Sequence, residues 1–356
     1  MIGALSALAR PWLSLLPPEL AHRAAIAALK FIPRSSTKSP DPRLAVDAFG
    51  LRFAHPLGLA AGFDKNAEVP DALLALGFSF VEVGTLTPLP QRGNPEPRLF
   101  RLPADAAVIN RMGFNNAGFD AARARLAARA SRGIVGVNFG PNKDAVDRIA
   151  DYVLGVKTFV EAASYFTINV SSPNTVGLRD LQQRDALDDL VASVMEAREA
   201  VRPRRPVLIK IAPDLDLRAL DDIVEVAISR GADGLIVSNT TIARPPDLLD
   251  RRSHETGGLS GRPLFPMSTH LLARAYLRCE GALTLIGCGG VEDAATALAK
   301  IHAGATLIQL YTSFAYRGPR IIDDILEGLT AAVANNGAQS IASLVGIKAR
   351  EFAVAA

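Results

Sequence analysis

The stretch PVLIKIAP, residues 206–213, is an apolar run interrupted by one lysine and bounded by a proline at each end. A strand wetted on one face would alternate apolar and polar side chains. This one does not, so both of its faces are buried. Seven more runs of the same kind are spread along the chain: HPLGLAAG (55–62), FSFVEVGT (78–85), GIVGVNFG (133–140), YFTINVSS (165–172), ADGLIVSNT (232–240), LTLIGCGG (283–290) and ATLIQLYT (305–312). Longer segments with helical spacing, such as DALDDLVASVMEAREAV (185–201) and LDDIVEVAISRGA (220–232), separate most of them. Strands buried on both faces and joined by helices are parallel, and eight of them predict a closed (β/α)8 barrel. An open doubly wound sheet is the competing arrangement, but no GxGxxG turn follows any run. LAVDAFGLRFA (44–54) reads as a hairpin around Gly50 that plugs the bottom of the barrel.

At 356 residues the chain is long for one compact domain, and it fits a large barrel with an appended segment. The boundary falls near residue 40: a helical segment and linker over 1–40, and the barrel over 41–356. Residues 31–44, FIPRSSTKSPDPRL, are rich in proline, serine and charge and read as the linker. Net charge is only +3, with no basic stripe interleaved with aromatics, so nucleic acid is not an expected partner. Cys279 and Cys288 form no CxxC, and His22, His55, His254, His270 and His302 form no HxxxH or HExxH pair. No metal site and no disulfide framework are expected, and both thiols read as reduced and buried.

Residues 1–33 have their own pattern. Ile2, Leu5, Ala9, Trp12 and Leu16 recur at spacings of three and four, and Leu20, Ala24, Ala27, Ala28 and Phe31 follow similarly after Pro17 and Pro18. Two short amphipathic helices are predicted. Arg10, Pro11, Glu19, His22 and Arg23 keep every apolar stretch shorter than the ~18 residues of a spanning helix. A secretory signal is not expected, because no basic residue precedes the apolar part. Two readings stay open here: a hairpin that caps the barrel, or one that lays an apolar face on a bilayer.

Barrel sites are assembled just past the C-terminal ends of the strands. Those positions hold Asp64-Lys65-Asn66, Gly84-Thr85, Asn138, Asn169 with Ser172 and Asn174, Lys210, Ser238-Asn239-Thr240, Gly289-Gly290 and Tyr311-Thr312-Ser313. Any one of these could be a turn or cap residue. Two lysines beside five asparagines are more than capping explains, and they suit a flat, polar, anionic ligand. Gly289 and Gly290 follow the seventh run, where barrels often bind a phosphate on backbone N–H groups. A heterocycle with a phosphate tail describes FMN.

Several motifs also resemble one family. AAGFDKN (60–66), VGTLTPLPQRGNPEPRLFRLP (83–103), NRMGFNNAG (110–118), NVSSPNT (169–175), NTT (239–241), GGLSG (257–261) and IGCGGV (286–291) closely resemble dihydroorotate dehydrogenases. The resemblance spans essentially the whole chain. It implies oxidation of (S)-dihydroorotate to orotate on FMN in pyrimidine synthesis, with Ser172 as general base at C5 while C6 gives hydride to the flavin. Serine at that position, where soluble class 1 relatives usually have cysteine, points to the quinone-dependent class 2. A serine hydroxyl is a poor base near neutral pH, so a relay is expected, with Thr175 and a water as candidates.

By the same resemblance, Lys65, Asn110, Arg111, Met112, Gly113, Phe114, Asn169, Asn174, Asn239 and Thr240 bind substrate. Ala61, Gly62, Phe63, Asp64, Lys65, Thr85, Asn138, Asn169, Lys210, Ser238, Gly261, Gly290, Tyr311 and Thr312 bind FMN. The N-terminal hairpin becomes a tunnel for a membrane quinone, with His22 and Arg101 at the quinone head. A peripheral position on the cytoplasmic face of a bacterial inner membrane follows, the bacterial form being favoured because no basic presequence and spanning helix precede the hairpin. A 2-hydroxy-acid oxidase would share the phosphate end but should carry a His/Arg pair instead of Ser172 and the asparagines. A barrel that only binds a ligand is a further reading.

Overall fold

A computed structural model describes residues 16–31, 39–130 and 133–354. Eight parallel strands close a barrel: β3 (Leu57–Leu59), β4 (Phe80–Leu86), β7 (Ile134–Phe139), β8 (Tyr165–Asn169), β9 (Val207–Ile211), β10 (Gly234–Val237), β12 (Thr284–Cys288) and β13 (Leu307–Leu310). Each lies inside one of the eight apolar runs, and the helices between them form the outer layer. The helix Leu217–Ser229 shows why these segments are helical. Asp216 caps it by accepting from the Ala219 N–H at 2.8 Å, and Leu220, Ile223, Val224 and Ala227 bury one stripe.

The bottom of the barrel is closed by aromatic rings. The hairpin of β1 (Val46–Ala48) and β2 (Leu51–Phe53) places Phe53 against Phe80 and Phe49 against Tyr165, with ring centres 5.2 Å and 5.6 Å apart. Glycine is required beside these rings. A Cβ on Gly136 would lie 2.1 Å from Tyr165 Cζ, and one on Gly58 would lie 2.4 Å from Phe80 Cζ.

One sheet has no counterpart in the periodicity. β5 (Leu99–Leu102), β6 (Ala107–Asn110) and β11 (Gly258–Gly261) make a three-stranded antiparallel sheet with its own small apolar cluster of Phe100, Leu102, Ala107, Ile109 and Leu259. It forms a wall over the top of the barrel.

Of the two helices expected near the N-terminus, the first lies outside the described residues. The second is Pro18–Leu29, started by Pro18 at its first position. Its barrel-facing residues are Ala21, Ile26 and Leu29, not the stripe picked out by spacing. Leu20, Ala27, Ala28 and Phe31 of that stripe are exposed, Phe31 at 85%. The helix is therefore apolar on two sides, and only one of them packs on the barrel. Arg98 fastens it by donating to both carboxylate oxygens of Glu19, at 2.6 Å and 3.2 Å, with both side chains largely buried.

Candidate active site

Strand register brings the polar residues to one level. Asn169 pairs with Lys210 across β8 and β9, and Asn138 pairs with Thr167 across β7 and β8. Above them lies a cavity of about 530 Å³. Its walls include Ser172, Asn174, Lys65, Lys210, Asn110, Met112, Gly113, Phe114, Asn169, Asn239 and Thr240. Ala61, Gly62, Phe63, Thr85, Ser238, Gly290, Tyr311 and Thr312 line it too, as do His22 and Arg101. One chamber thus joins the strand ends to the N-terminal helix.

Four of the expected site residues do not line the cavity. Asp64 uses its carboxylate to accept from the N–H groups of Asn66, Glu68 and Val69, which fixes the turn that carries Lys65. Arg111 turns away to Glu255 at 2.8 Å, with its guanidinium 4.5 Å over the Phe100 ring. Gly261 is packed against Ala106 and Thr312, at a φ of 95°. Asn138 lies one layer below the cavity floor, fully buried.

What holds Asn138 there is a carboxylate that the strand-end survey missed. Glu82, in the middle of β4 and fully buried, accepts from Asn138 Nδ2 (2.8 Å), Tyr165 OH (3.1 Å), Thr167 Oγ1 (3.1 Å) and Gln309 Nε2 (3.0 Å). Burial and the adjacent carboxylate push the Tyr165 phenol well above its ordinary pKa, so it remains a donor. With its Nδ2 committed to Glu82, Asn138 presents Oδ1 upward. That oxygen accepts from Thr85 Oγ1 (2.6 Å) and Asn169 Nδ2 (3.2 Å). Asn169 Oδ1 in turn accepts from Ser171 Oγ (3.0 Å), and Ser171 Oγ accepts from Asn239 Nδ2 (2.9 Å). Every amide on the floor is oriented from below. The only signal in the sequence was a single acid inside an apolar run.

Ser172 is buried at the cavity wall and accepts from the Asn174 N–H at 3.3 Å. Thr175 is buried, but among the described residues no hydrogen bond joins it to Ser172. Lys65 is partly buried in the cavity wall, and desolvation pulls its pKa down to about 8, with Glu19 opposing the effect and Arg98 adding to it. His22 packs edge-on against Phe63 at 5.2 Å, and burial next to Lys65 lowers its pKa to about 3. It is a neutral imidazole. Arg101 donates to the Leu16 carbonyl at 3.0 Å, tying β5 to the start of the N-terminal helix.

Past the seventh barrel strand lies the turn expected to take a phosphate. Gly289 and Gly290 adopt φ of 109° and 76°, and a Cβ on Gly290 would lie 2.4 Å from Phe265 Cβ. Beside them begins the helix Phe265–Cys279, whose first turn has no side-chain cap. Cys288 also lines the cavity, and burial raises its pKa, so it stays a neutral thiol.

Comparison with known proteins settles the family. A profile described as dihydroorotate dehydrogenase matches residues 43–333. The chain belongs to the dihydroorotate dehydrogenase family. Among its relatives, "Dihydroorotate dehydrogenase (quinone)" of Bradyrhizobium diazoefficiens is 58% identical over 354 residues, covering 98% of this chain and 97% of that one. The protein of the same name from Rhodopseudomonas palustris strain BisB5 is 57% identical over the same share of each chain. Of solved structures, the DHODH of Eimeria tenella crystallised with ferulenol superposes with a TM-score of 0.89 at 43% identity, covering 94% of this chain and 96% of that one. Oxidation of dihydroorotate, in pyrimidine biosynthesis, is the chain's reaction, and FMN is its cofactor. The hydroxy-acid oxidase and binding-only readings are set aside.

Proposed function

We propose that this chain divides its cavity between two half-reactions: dihydroorotate is oxidised at the strand ends, and the electrons leave beside the N-terminal helix to a quinone. The single observation that carries this reading is the continuity of the chamber, which runs from Ser172 and the asparagines to His22 and Arg101. FMN, when bound, supplies the hydride acceptor for C6 of the substrate. Gly289, Gly290 and Thr312 would hold its phosphate, while Lys65, Thr85, Asn169, Lys210 and Ser238 would surround its ring system.

Ser172 Oγ would take the proton from C5 as its own hydroxyl proton passes to a water in the cavity, since a serine hydroxyl can act as base only by handing that proton on. The buried position of Ser172 keeps bulk water off the bond being broken, and the adjacent Asn174 and Asn110 amides, joined at 3.3 Å, orient the pyrimidine edge. Lys210 puts a positive charge where negative charge develops on the ring system during reduction. On the other side, neutral His22 is suited to hydrogen bonding a quinone oxygen without carrying charge into an apolar tunnel.

Membrane contact belongs to the same reading. The exposed apolar side of Pro18–Leu29, with Leu20, Ala27 and Ala28, continues to Phe31 and is suited to lying on a bilayer surface. Among the described residues no helix is long and apolar enough to cross a membrane. The chain sits peripherally, on the cytoplasmic face of the bacterial inner membrane. The test is an anaerobic mixture with dihydroorotate. Flavin absorbance should bleach, and added quinone should restore it; bleaching without restoration would remove the quinone half.

A further inference from the structure

Lys300 lies on the helix Ala294–His302, fully buried and outside the cavity wall. Its ammonium donates a 2.6 Å hydrogen bond to Ser268 Oγ and stands 5.2 Å from the centre of the Phe265 ring. Among the described residues no carboxylate forms a salt bridge with it, and the titratable group that acts on it electrostatically is Cys288. That thiol is itself held neutral by burial. A buried ammonium without a counter-charge is strongly unfavourable, so any proton this amine carries is balanced by none of these groups and favours an anion placed nearby.

Its neighbours show where that charge acts. Ser268 accepts from Lys300 and donates to the Gly289 carbonyl at 3.0 Å. Phe265, under the ammonium, opens the helix Phe265–Cys279 and packs so closely on Gly290 that no Cβ fits there. The amine therefore stands behind the Gly289–Gly290 turn assigned to the flavin phosphate and beside the uncapped first turn of that helix.

We propose that Lys300 is the counter-cation of the FMN phosphate, a positioning residue that holds the glycine turn through Ser268 and supplies positive potential from behind it. The proposal rests on the reading that Gly289 and Gly290 cradle the phosphate. It makes FMN retention depend on a residue that never touches the flavin. In the absence of an anion, desolvation draws the Lys300 pKa down to about 7, which fits a cation waiting for its partner.

The experiment compares two flavins that differ only in the phosphate. Flavin-free protein is titrated with FMN and with riboflavin, following fluorescence quenching, for wild type, Lys300→Met and Lys300→Gln. Wild type should prefer FMN. Both variants should lose about tenfold or more in FMN affinity, with riboflavin affinity unchanged. Ser268→Ala should lose less, in the same direction. The second neutral variant keeps the test available should Lys300→Met fail to fold. A full FMN preference in the lysine variants would overturn the role of Lys300, as would an equal loss for both flavins, which would mark it as structural only. Wild type that binds both flavins equally would instead overturn the phosphate cradle, and the proposal with it.

Discussion

Replacing Glu82 tests the claim that the catalytic floor is oriented from below. In Glu82→Leu, four buried donors lose their acceptor: Asn138 Nδ2, Tyr165 OH, Thr167 Oγ1 and Gln309 Nε2. At about 1–3 kcal/mol for each buried group left unpaired, the sum approaches the whole stability of a domain, and no folded protein is expected. Glu82→Gln is the informative variant. Its remaining oxygen best serves the three donors now on Oε2, so its new NH2 faces Asn138 Nδ2 and one donor–donor clash remains. Asn138 relieves the clash by flipping its amide, which turns its NH2 toward Thr85 and Asn169 and removes the acceptor they share. One unpaired group plus a disturbed pair gives a loss of about 2–4 kcal/mol. Urea unfolding with an unchanged m-value measures that loss, and stopped-flow reduction by dihydroorotate measures the damage to the site. Wild-type stability together with a wild-type reduction rate in Glu82→Gln would refute the ladder.

The other predictions concern single links. Ser172→Ala should keep FMN and orotate binding while flavin reduction slows by roughly two orders of magnitude or more; undiminished reduction in stopped flow would remove Ser172 as the base. Gly136→Ala forces a Cβ to 2.1 Å from Tyr165 Cζ and should lower stability by about 1–3 kcal/mol, read as a drop in urea midpoint. His22 has a folded-state pKa near 3, below its ordinary value, so the unfolded chain holds the extra proton between the two. Its share of stability is complete above about pH 6.5 and shrinks as pH falls, by about 2 kcal/mol at pH 5. Protection factors for Pro18–Leu29, corrected for the intrinsic pH dependence of amide exchange, should therefore fall at pH 5, and His22→Gln should abolish that acid sensitivity.

The barrel was legible because burial on both faces leaves an unmistakable pattern, and each of the eight runs contains one strand. The antiparallel sheet was not: Leu99–Leu102 and Ala107–Asn110 are four residues each, and their partner Gly258–Gly261 lies about 150 residues away, so no local period marks them. The N-terminal helix was legible from Pro17 and Pro18, but its barrel-facing side was not, because alanine-rich spacing fits more than one face. Strand-end reasoning found Thr85, Asn169, Ser172 and Lys210, which line the cavity. It missed Glu82, since an acid inside a strand reads as an exception to the pattern until its donors on β7, β8 and β13 are known. Asp64 shows the opposite error: a carboxylate beside a site looks available, yet its oxygens are occupied by three backbone N–H groups.

The two sides of the cavity differ in how firmly they are held, and the difference is in keeping with the division into half-reactions proposed above. The floor is fixed by a continuous ladder from Glu82 through Asn138 and Asn169 to Ser171, every rung of it buried. The opposite wall is one helix, held by the Glu19–Arg98 pair, the edge contact of His22 with Phe63, and the side chains of Ala21, Ile26 and Leu29. Proton abstraction needs atoms fixed to a fraction of an ångström, which the ladder provides. Admitting a long-tailed acceptor needs a wall that can yield without disturbing the floor. Removing residues 1–40 should accordingly leave a barrel that binds FMN and is still reduced by dihydroorotate, while vesicle association and quinone turnover are lost. Full-rate turnover of a long-chain quinone by the truncated barrel would show that the helix is only a cap and that the electrons leave by another route.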